Sequence, residues 1–586
     1  RLHPRLRRAG SRRQPDGPDG LTTFIPLEPA ATPETYEDRL EELASMGLPH
    51  PVVFPEGMEG DESFRRLVTR NLRIEVPDAA KRDALADTLN LPIRALPEWA
   101  PNHIVLSADS PLAALGKIDE LRENPSLAAA DVLLGAQMAK RAMPNGPLVG
   151  TQWHLKHTGN PIVAQGTDIN VENAWKYDGS AGPIRGSGIV VGVVDDGLQL
   201  NHPDLQANVN TALDWNFVSD NGDPSPTSAD THGTPCAGNI AAVGNNDLGV
   251  SGAAPEAKVT GLRLIVWNFS ADDLDEARAM AWESQAIHLK SNSWGPVDDA
   301  RRKSGPGPMT EAAFRDSAAI GRGGKGSIHM WAGGNGRRVG DNSNYDGYAN
   351  SIYTIGVGAM DSAMDQSQYS ESGANLLVVA PSSGRTSGSN PPLGITTTDL
   401  VEASGYNGIT NAPDYTNSFG GTSSATPTAA GVVALMLQKN PALGYRDVAE
   451  ILAQTAKKIH PEDPGWSTNS AGFHFHHSFG AGLVDATAAV TAACERTAAT
   501  MLGAYKKQEY SVSGGVIPNN NTTGLVKTFD LGQSDVRIEH VTVTLDIDHS
   551  VRGNLEITLT SPSGITSRLP ELHGDTGADY QWTFKT

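Results

Sequence analysis

Five stretches of this chain, IVVGVVD, KVTGLRLI, LKSNSW, SIHMWAGG and SIYTIGVGA, are apolar almost without interruption, and each ends within a few residues of Gly, Asp or Asn. Strands of this kind must be covered on both faces, which predicts an α/β fold with a parallel sheet flanked by helices. The stretches DLDEARAMAWESQ, HGTPCAGNIAAV and SATPTAAGVVALMLQK between them carry helical patterns and supply the covering layers. At 586 residues the chain exceeds one hydrophobic core, so several domains are expected.

The first fifteen residues carry six arginines and no acid, and a Pro/Glu-rich stretch follows. Residues 1–63 are therefore expected to be a disordered leader. From Phe64 to Arg141 short strands (NLRIEV, HIVLSA) alternate with the helical PLAALGKIDELRE, predicting a small α+β unit. The parallel-sheet pattern occupies 142–498. From 499 to 586 it gives way to period-two segments such as VRIEHVTVTLDI, which predicts a separate β domain. The chain begins without Met or an apolar leader core and stops inside a strand-like pattern, so it reads as a fragment at both ends. A net charge of −21 disfavours nucleic acid as a partner, and two cysteines exclude a disulfide framework. No apolar run reaches 18 residues.

Three motifs carry chemistry. VVDDG puts Asp195 at the end of a buried strand, where open α/β sheets build their sites. THGTPCAG puts His232, and GGTSSATP puts Ser423, at the start of a helix. A serine hydroxyl attacks well only when an imidazole takes its proton, and the imidazole needs a carboxylate to fix its tautomer. Each residue alone reads as a helix cap or a structural group; the three together, in the order Asp, His, Ser, point to a serine hydrolase. An oxyanion needs a further donor, and WAGGNG supplies Asn335 after a buried strand.

With these motifs in place, the chain resembles the subtilase superfamily, and within it the kexin/furin-like proprotein convertases. The second acid of VVDDG and the segments SNSWGPVDD, GRGGKGSIHMWAGGNG and YDGYANSIYT carry that likeness, from about Gln152 to Val490. The tail DIDHSVRGNLEITLTSPSG resembles the P domain of the same family. The resemblance implies a subtilisin-like sheet, an inhibitory prodomain at 64–141 and a β-sandwich P domain. The P domain should lack its closing strands here and be less stable for it.

The resemblance also assigns subsites. It puts Asp196 at S2, Asp298 and Asp346 at S1, and Glu276 and Tyr348 at S4, where Ser304 stands in place of a second acid. Buried acids without a permanent partner favour an incoming Arg or Lys, so cleavage after Lys-Arg or Arg-Arg is expected. Calcium is the implied cofactor. One site would take Asp204, Asn246 and the carbonyls of Val243, Leu248 and Val250, with Gly146 where the family has an acid. A second would take Asp298, Asp341 and Glu371. The histidines of HFHHS have no suitable co-ligand and read as structural, and Cys236 reads as a buried free thiol. The expected protein is a secreted or cell-envelope monomer that acts on proteins or peptides with basic residues. It would cut itself after Lys140-Arg141, with its own prodomain as inhibitor. The rival readings are a broad-specificity subtilisin-like protease and a non-catalytic binding protein on a protease scaffold.

Overall fold

A computed structural model describes residues 52–53, 66–135, 143–157, 159–176, 183–266, 271–384, 393–403, 405–406, 408–532 and 537–586. The chain divides into two compact units, Arg1–Lys140 and Arg141–Thr586. The expected leader lies almost wholly outside the described residues, as does the Lys140-Arg141 pair.

The first unit is an antiparallel sheet built on a long central strand. Strands β1 (Val52–Val53), β2 (Arg66–Glu75), β3 (Ile93–Ala95) and β4 (His103–Ser107) run in the order β1-β2-β4-β3, and β5 (Ala129–Gly135) also pairs with β2. Alternation puts Leu72 and Ile74 of β2 on the same face as Ile104 and Leu106 of β4, all buried. The helix Pro111–Arg122 covers that face through Ala114, Ile118 and Leu121. Its start is fixed by Ser110, whose side chain accepts the Ala113 N–H.

The second unit is built on a seven-stranded sheet of β6 (Val190–Asp195), β7 (Trp215–Asn216), β8 (Lys258–Arg263), β9 (Leu289–Asn292), β10 (Ile328–Ala332), β11 (Thr354–Met360) and β12 (Leu376–Pro381). The order is β12-β11-β10-β9-β6-β8-β7, and every pairing is parallel. All five apolar stretches of the sequence form strands of this sheet. On one face lie the helices Gly233–Ala241 and Thr422–Lys439, whose Ala and Val side chains join Val191, Val193, Met330 and Val357 in the largest core. On the other face Phe314, Trp331, Met280 and Ile287 pack together. Asp195, Ser293 and Asn335 sit at or just beyond the carboxyl ends of β6, β9 and β10, so one edge of the sheet collects the polar groups.

Beyond residue 499 the described strands are short and antiparallel: Thr542–Ile547 pairs with Tyr580–Lys585, and Thr558–Thr560 with Thr566–Arg568. Tyr580 and Phe584 of these strands and Leu555 and Leu569 beside them share one core with Tyr345 and Ala374 of the sheet unit. No helix among the described residues is long and apolar enough to cross a membrane.

Candidate active site

Asp195 and His232 are in direct contact, and Cys236 lies between them and Ser423, its sulfur 3.8 Å from His232 Nδ1 and 3.6 Å from the Ser423 carbonyl. Asp195, the last residue of β6, grips His232 Nδ1 with both carboxylate oxygens at 2.8 and 3.0 Å. His232 immediately precedes the helix Gly233–Ala241, and Ser423 lies in the first turn of the helix Thr422–Lys439. Burial pushes the imidazole down, but the Asp195 carboxylate outweighs it and holds His232 well above the usual histidine range. The imidazolium that forms during proton transfer is thus favoured. Ser423 Oγ donates to the Ser293 carbonyl at 3.3 Å, and Ser293 Oγ returns a hydrogen bond to the Ser423 carbonyl at 3.1 Å. Sequence reasoning missed this reciprocal clamp; its only trace is the serine inside SNSW.

Asn335 is oriented from behind. Its Oδ1 accepts the N–H and hydroxyl of Thr422 at 2.9 and 3.1 Å, which leaves the amide N–H groups to face away from Thr422. Its own backbone N–H donates to Asp298 Oδ2 at 2.8 Å, tying the oxyanion residue to the acids beside it.

Those acids gather as expected. Carboxylate oxygens of Asp298, Asp341 and Glu371 lie within 4.8 Å of one another. Burial raises all three; repulsion from its neighbours adds to this and takes Asp341 up to about 6. Among the described residues no Lys, Arg or His pairs with any of them. Asp346 is pushed up to about 8 by burial, although its Oδ1 accepts the Tyr348 and Ala349 N–H groups. A side chain on Gly295 would meet Asp346 Oδ2 at 2.7 Å, so glycine there keeps the approach to this carboxylate open. Glu276 accepts the Tyr348 hydroxyl at 2.7 Å, which puts both S4 candidates in one contact.

Two family models match this chain: the Subtilase family over residues 186–482 and the Proprotein convertase P-domain over 538–586. The chain belongs to the subtilase family. Within it, the chain falls in the kexin/furin-like proprotein convertase branch. It is 35% identical over 463 residues to "PC3-like endoprotease variant B" of Hydra vulgaris, covering 77% of this chain and 62% of that one. It is 35% identical over 514 residues to "Protease KEX1" of Kluyveromyces lactis, covering 82% and 63%. It is 34% identical over 433 residues to human "Proprotein convertase subtilisin/kexin type 5", covering 72% and 22%. The chain thus spans less than two thirds of these relatives' own lengths. The solved serine protease of Aeromonas sobria superposes with a TM-score of 0.60 at 25% identity, covering 77% of this chain and 88% of that one.

The two calcium sites expected of this subtilase differ in fit. The Asp298, Asp341 and Glu371 cluster suits a hard divalent cation: three acids converge without a counter-ion. Glycines make the cradle. Gly334 has φ +96°, and a Cβ there would meet the Glu371 carboxylate at 2.4 Å; one on Gly336 would meet Asp341 at 2.6 Å and Asp298 at 2.9 Å.

The Asp204 site does not fit in the same way. The structure brings Asp204, Val243, Asn246, Leu248 and Val250 together, but it satisfies them with each other. Buried Asp204 accepts the Asn246 amide at 2.7 Å and the Val250 N–H at 2.8 Å, its own carbonyl accepts the Val243 N–H, and Asn246 Oδ1 accepts the Leu248 N–H. Only one carboxylate is present. The position that would carry a second acid has no room for one, since a Cβ on Gly146 would meet the Leu248 and Gly249 carbonyl oxygens at 2.3 and 2.7 Å. This corrects the expectation that Gly146 is merely a missing ligand.

Cys236 is buried and unpaired, its sulfur 3.8 Å from His232 Nδ1. Burial pushes the thiol up to about 11, so it stays protonated at neutral pH. The HFHHS histidines are engaged separately: His474 meets Trp466 edge to face, His476 packs tilted against it, and His477 faces Glu571 at 3.0 Å. A further aromatic row, His232, Phe419 and Tyr406, runs edge to face at 5.6 and 5.4 Å beside the triad. No periodic pattern announces it, because Tyr406 and Phe419 sit in an irregular hairpin.

Proposed function

We propose that this chain is a serine endopeptidase that cleaves after paired basic residues, depends on calcium, and is made as a zymogen. The observation that carries it is His232 doubly gripped by Asp195 at the end of β6, with Ser423 across the Cys236 sulfur and a cluster of acids without a counter-ion on the Asn335 side.

Ser423 Oγ attacks the scissile carbonyl while His232 takes its proton. The carbonyl oxygen becomes an oxyanion that accepts a hydrogen bond from the Asn335 amide, already aimed by Thr422. His232 then gives its proton to the leaving amine, which departs and leaves an acyl ester on Ser423. Water attacks that ester, His232 takes a proton from it, and the proton returns to Ser423 as the acid leaves. Asp195 holds the imidazole tautomer throughout.

Specificity comes from charge. A P1 guanidinium placed between Asp298 and Asp346, and a P2 ammonium at Asp196, each bring a counter-ion to an acid that no Lys or Arg pairs with among the described residues. A calcium ion held by Asp298, Asp341 and Glu371 would offset the repulsion among those acids and keep the Asp298 side of the pocket in place. Secretion or attachment to the cell envelope fits a zymogen of this type.

The test has two arms. A fluorophosphonate probe should label Ser423 and fail on Ser423→Ala; no labelling would favour a binding protein on a protease scaffold. Peptides differing only at P1 and P2 should be ranked Lys-Arg above Ala-Arg above Ala-Leu. A flat ranking would favour a broad-specificity protease.

A further inference from the structure

Lys585 is buried without an acid, and burial pulls its amine down to about 7, so it is an ammonium below neutral pH and shares the cradle with its neutral form above it. It is 4% exposed, and among the described residues no carboxylate pairs with it. Its Nζ donates instead to three backbone carbonyls, of Ser351 at 2.7 Å and of Ala349 and Thr354 at 3.4 Å. Burying a charge is costly unless acceptors replace its water, and three carbonyls match the three N–H donors of an ammonium. All three carbonyls belong to the turn that leads from Asp346 into β11.

The strand Tyr580–Lys585 holds the other flank of Asp346 as well. Lys585 N–H donates to Asn344 Oδ1 at 2.9 Å, and Asn344 Nδ2 donates to the Lys585 carbonyl at 2.8 Å. Trp582 Nε1 donates to the Asn344 carbonyl at 2.8 Å, and Asn350 Nδ2 donates to the Thr583 carbonyl at 2.8 Å. Inside the turn, a short relay connects the ammonium to the acid. Lys585 fixes the Thr354 carbonyl; the Thr354 hydroxyl donates to the Tyr348 carbonyl at 2.7 Å; and the N–H of that same peptide group, on Ala349, donates to Asp346 Oδ1 at 3.2 Å.

We infer that Lys585 is a positioning residue for Asp346, a tethered cation in a three-carbonyl cradle that fixes the 346–354 turn and thereby sets the preference for a basic P1 side chain. It rests on the proposed role of Asp346 in facing P1. Without the ammonium, three carbonyl dipoles aimed at one point repel each other and turn outward, and the Ala349 N–H is drawn off the Asp346 carboxylate. Ser423, His232 and Asn335 make no hydrogen bond to this turn among the described residues, so the loss should fall on recognition and leave the chemical step alone.

The experiment compares the full chain with Lys585→Ala on two peptides that differ only in P1 Arg or P1 Leu. The Arg-to-Leu ratio of kcat/KM should fall about tenfold or more, through a higher KM for the Arg peptide, with kcat and the fluorophosphonate labelling rate little changed. Methylammonium, which can donate into the cradle, should restore the ratio; tetramethylammonium, which has no N–H, should not. Lys585→Met keeps the stem and serves if the alanine variant does not fold. An unchanged ratio in a variant that still labels would overturn the inference, as would equal rescue by both amines. A wild-type chain with no Arg preference would overturn the P1 reading first, and that arm is read without any variant.

Discussion

Asp196 holds the backbone of His232, accepting its N–H at 2.9 Å with one carboxylate oxygen and the Gly233 N–H at 2.7 Å with the other. The acid that resemblance assigns to S2 therefore also anchors the start of the helix that carries the catalytic imidazole, where a negative charge is favoured by the helix dipole. On that assignment recognition and catalysis would share one carboxylate.

Asp196→Asn should consequently damage both. The amide oxygen can accept one of the two N–H groups, and its NH₂ faces the other. On a P2 Lys peptide kcat/KM should fall about a hundredfold, and on a P2 Ala peptide by less but still measurably, through kcat. Steady-state kinetics on the two peptides checks this; an unchanged kcat on the P2 Ala peptide would confine Asp196 to substrate binding.

The same carboxylate gives a pH dependence. Burial and, after it, repulsion from Asp195 push Asp196 up to about 7, while the His232 charge and two N–H donors pull the other way. Attraction for a P2 lysine needs the ionised form. Preference for P2 Lys over Ala should therefore grow as pH rises through about 7, while the lysine itself stays charged. A preference independent of pH between about 6 and 8 would contradict it.

Stability should run the opposite way. Asp196 and Asp346, raised to about 7 and about 8, bind protons in the folded state that they release when unfolded. A raised carboxylate costs stability as pH climbs from its unfolded value through its folded one, and His232, held high, loses its stabilising charge over the upper part of that range. Below about 6.5 the trend reverses in part. Burial holds His154 down to about 3 and His288 and His540 to about 4, so their protonation favours the unfolded chain. Above about 7 the fall is opposed, because burial brings Lys290 and Lys585 down to about 7 and their early loss of a proton favours the folded chain as pH rises. Asp346→Asn removes one raised carboxylate, so its melting temperature relative to wild type, both chelated, should rise between about pH 6 and 8, and a difference independent of pH would refute the assignment.

Much of this is legible in the order of residues alone. The sheet is, because a strand apolar on both faces, such as Val190–Asp195 or Ile328–Ala332, has few other places to go. The triad is, because each member sits in a Gly-rich turn at an element end. What escapes is whatever depends on partners distant in sequence. The Ser293–Ser423 clamp joins residues 130 apart, the Asn344 pairing with Lys585 joins residues 241 apart, and neither leaves a local pattern. The Asp204 loop misleads for a related reason. A sequence shows which oxygen-bearing residues are near each other, but not that three carboxylates converge at Asp298, Asp341 and Glu371 while a side chain on Gly146 would collide with two carbonyl oxygens.

Calcium follows from that contrast. Chelation should lower the melting temperature and raise KM for a P1 Arg peptide, and Asp341→Asn should mimic both without further response to chelator. Metal analysis should return one ion per chain from the Asp298 cluster. Gly146→Asp, which has to displace two carbonyl oxygens, should destabilise the fold without adding an ion. A second ion in that variant would show that the Asp204 site can hold calcium after all.

Self-cleavage after Arg141 is the last expectation; the chain divides into two compact units between Lys140 and Arg141, one residue before that bond. Cleavage there puts Arg141 at P1 and Lys140 at P2, the charges that Asp298, Asp346 and Asp196 should attract. Met138 falls at P4, where Glu276 is already engaged by the Tyr348 hydroxyl and Ser304 carries no charge, so little is lost by an uncharged side chain. The competing pair, Lys81-Arg82, is poorly placed. Lys81 closes a 3₁₀ turn, Arg82 opens the helix Arg82–Ala86, and the Arg82 guanidinium donates to the Pro97 carbonyl at 3.1 Å. A protease draws its substrate into an extended strand, so that turn would have to unwind first. The mature N-terminus should be Ala142, and Ser423→Ala should accumulate as the uncut precursor. N-terminal sequencing of both proteins, expressed with no other protease present, decides the matter: Ala142 at the N-terminus of the serine variant would mean that something other than this active site makes the cut.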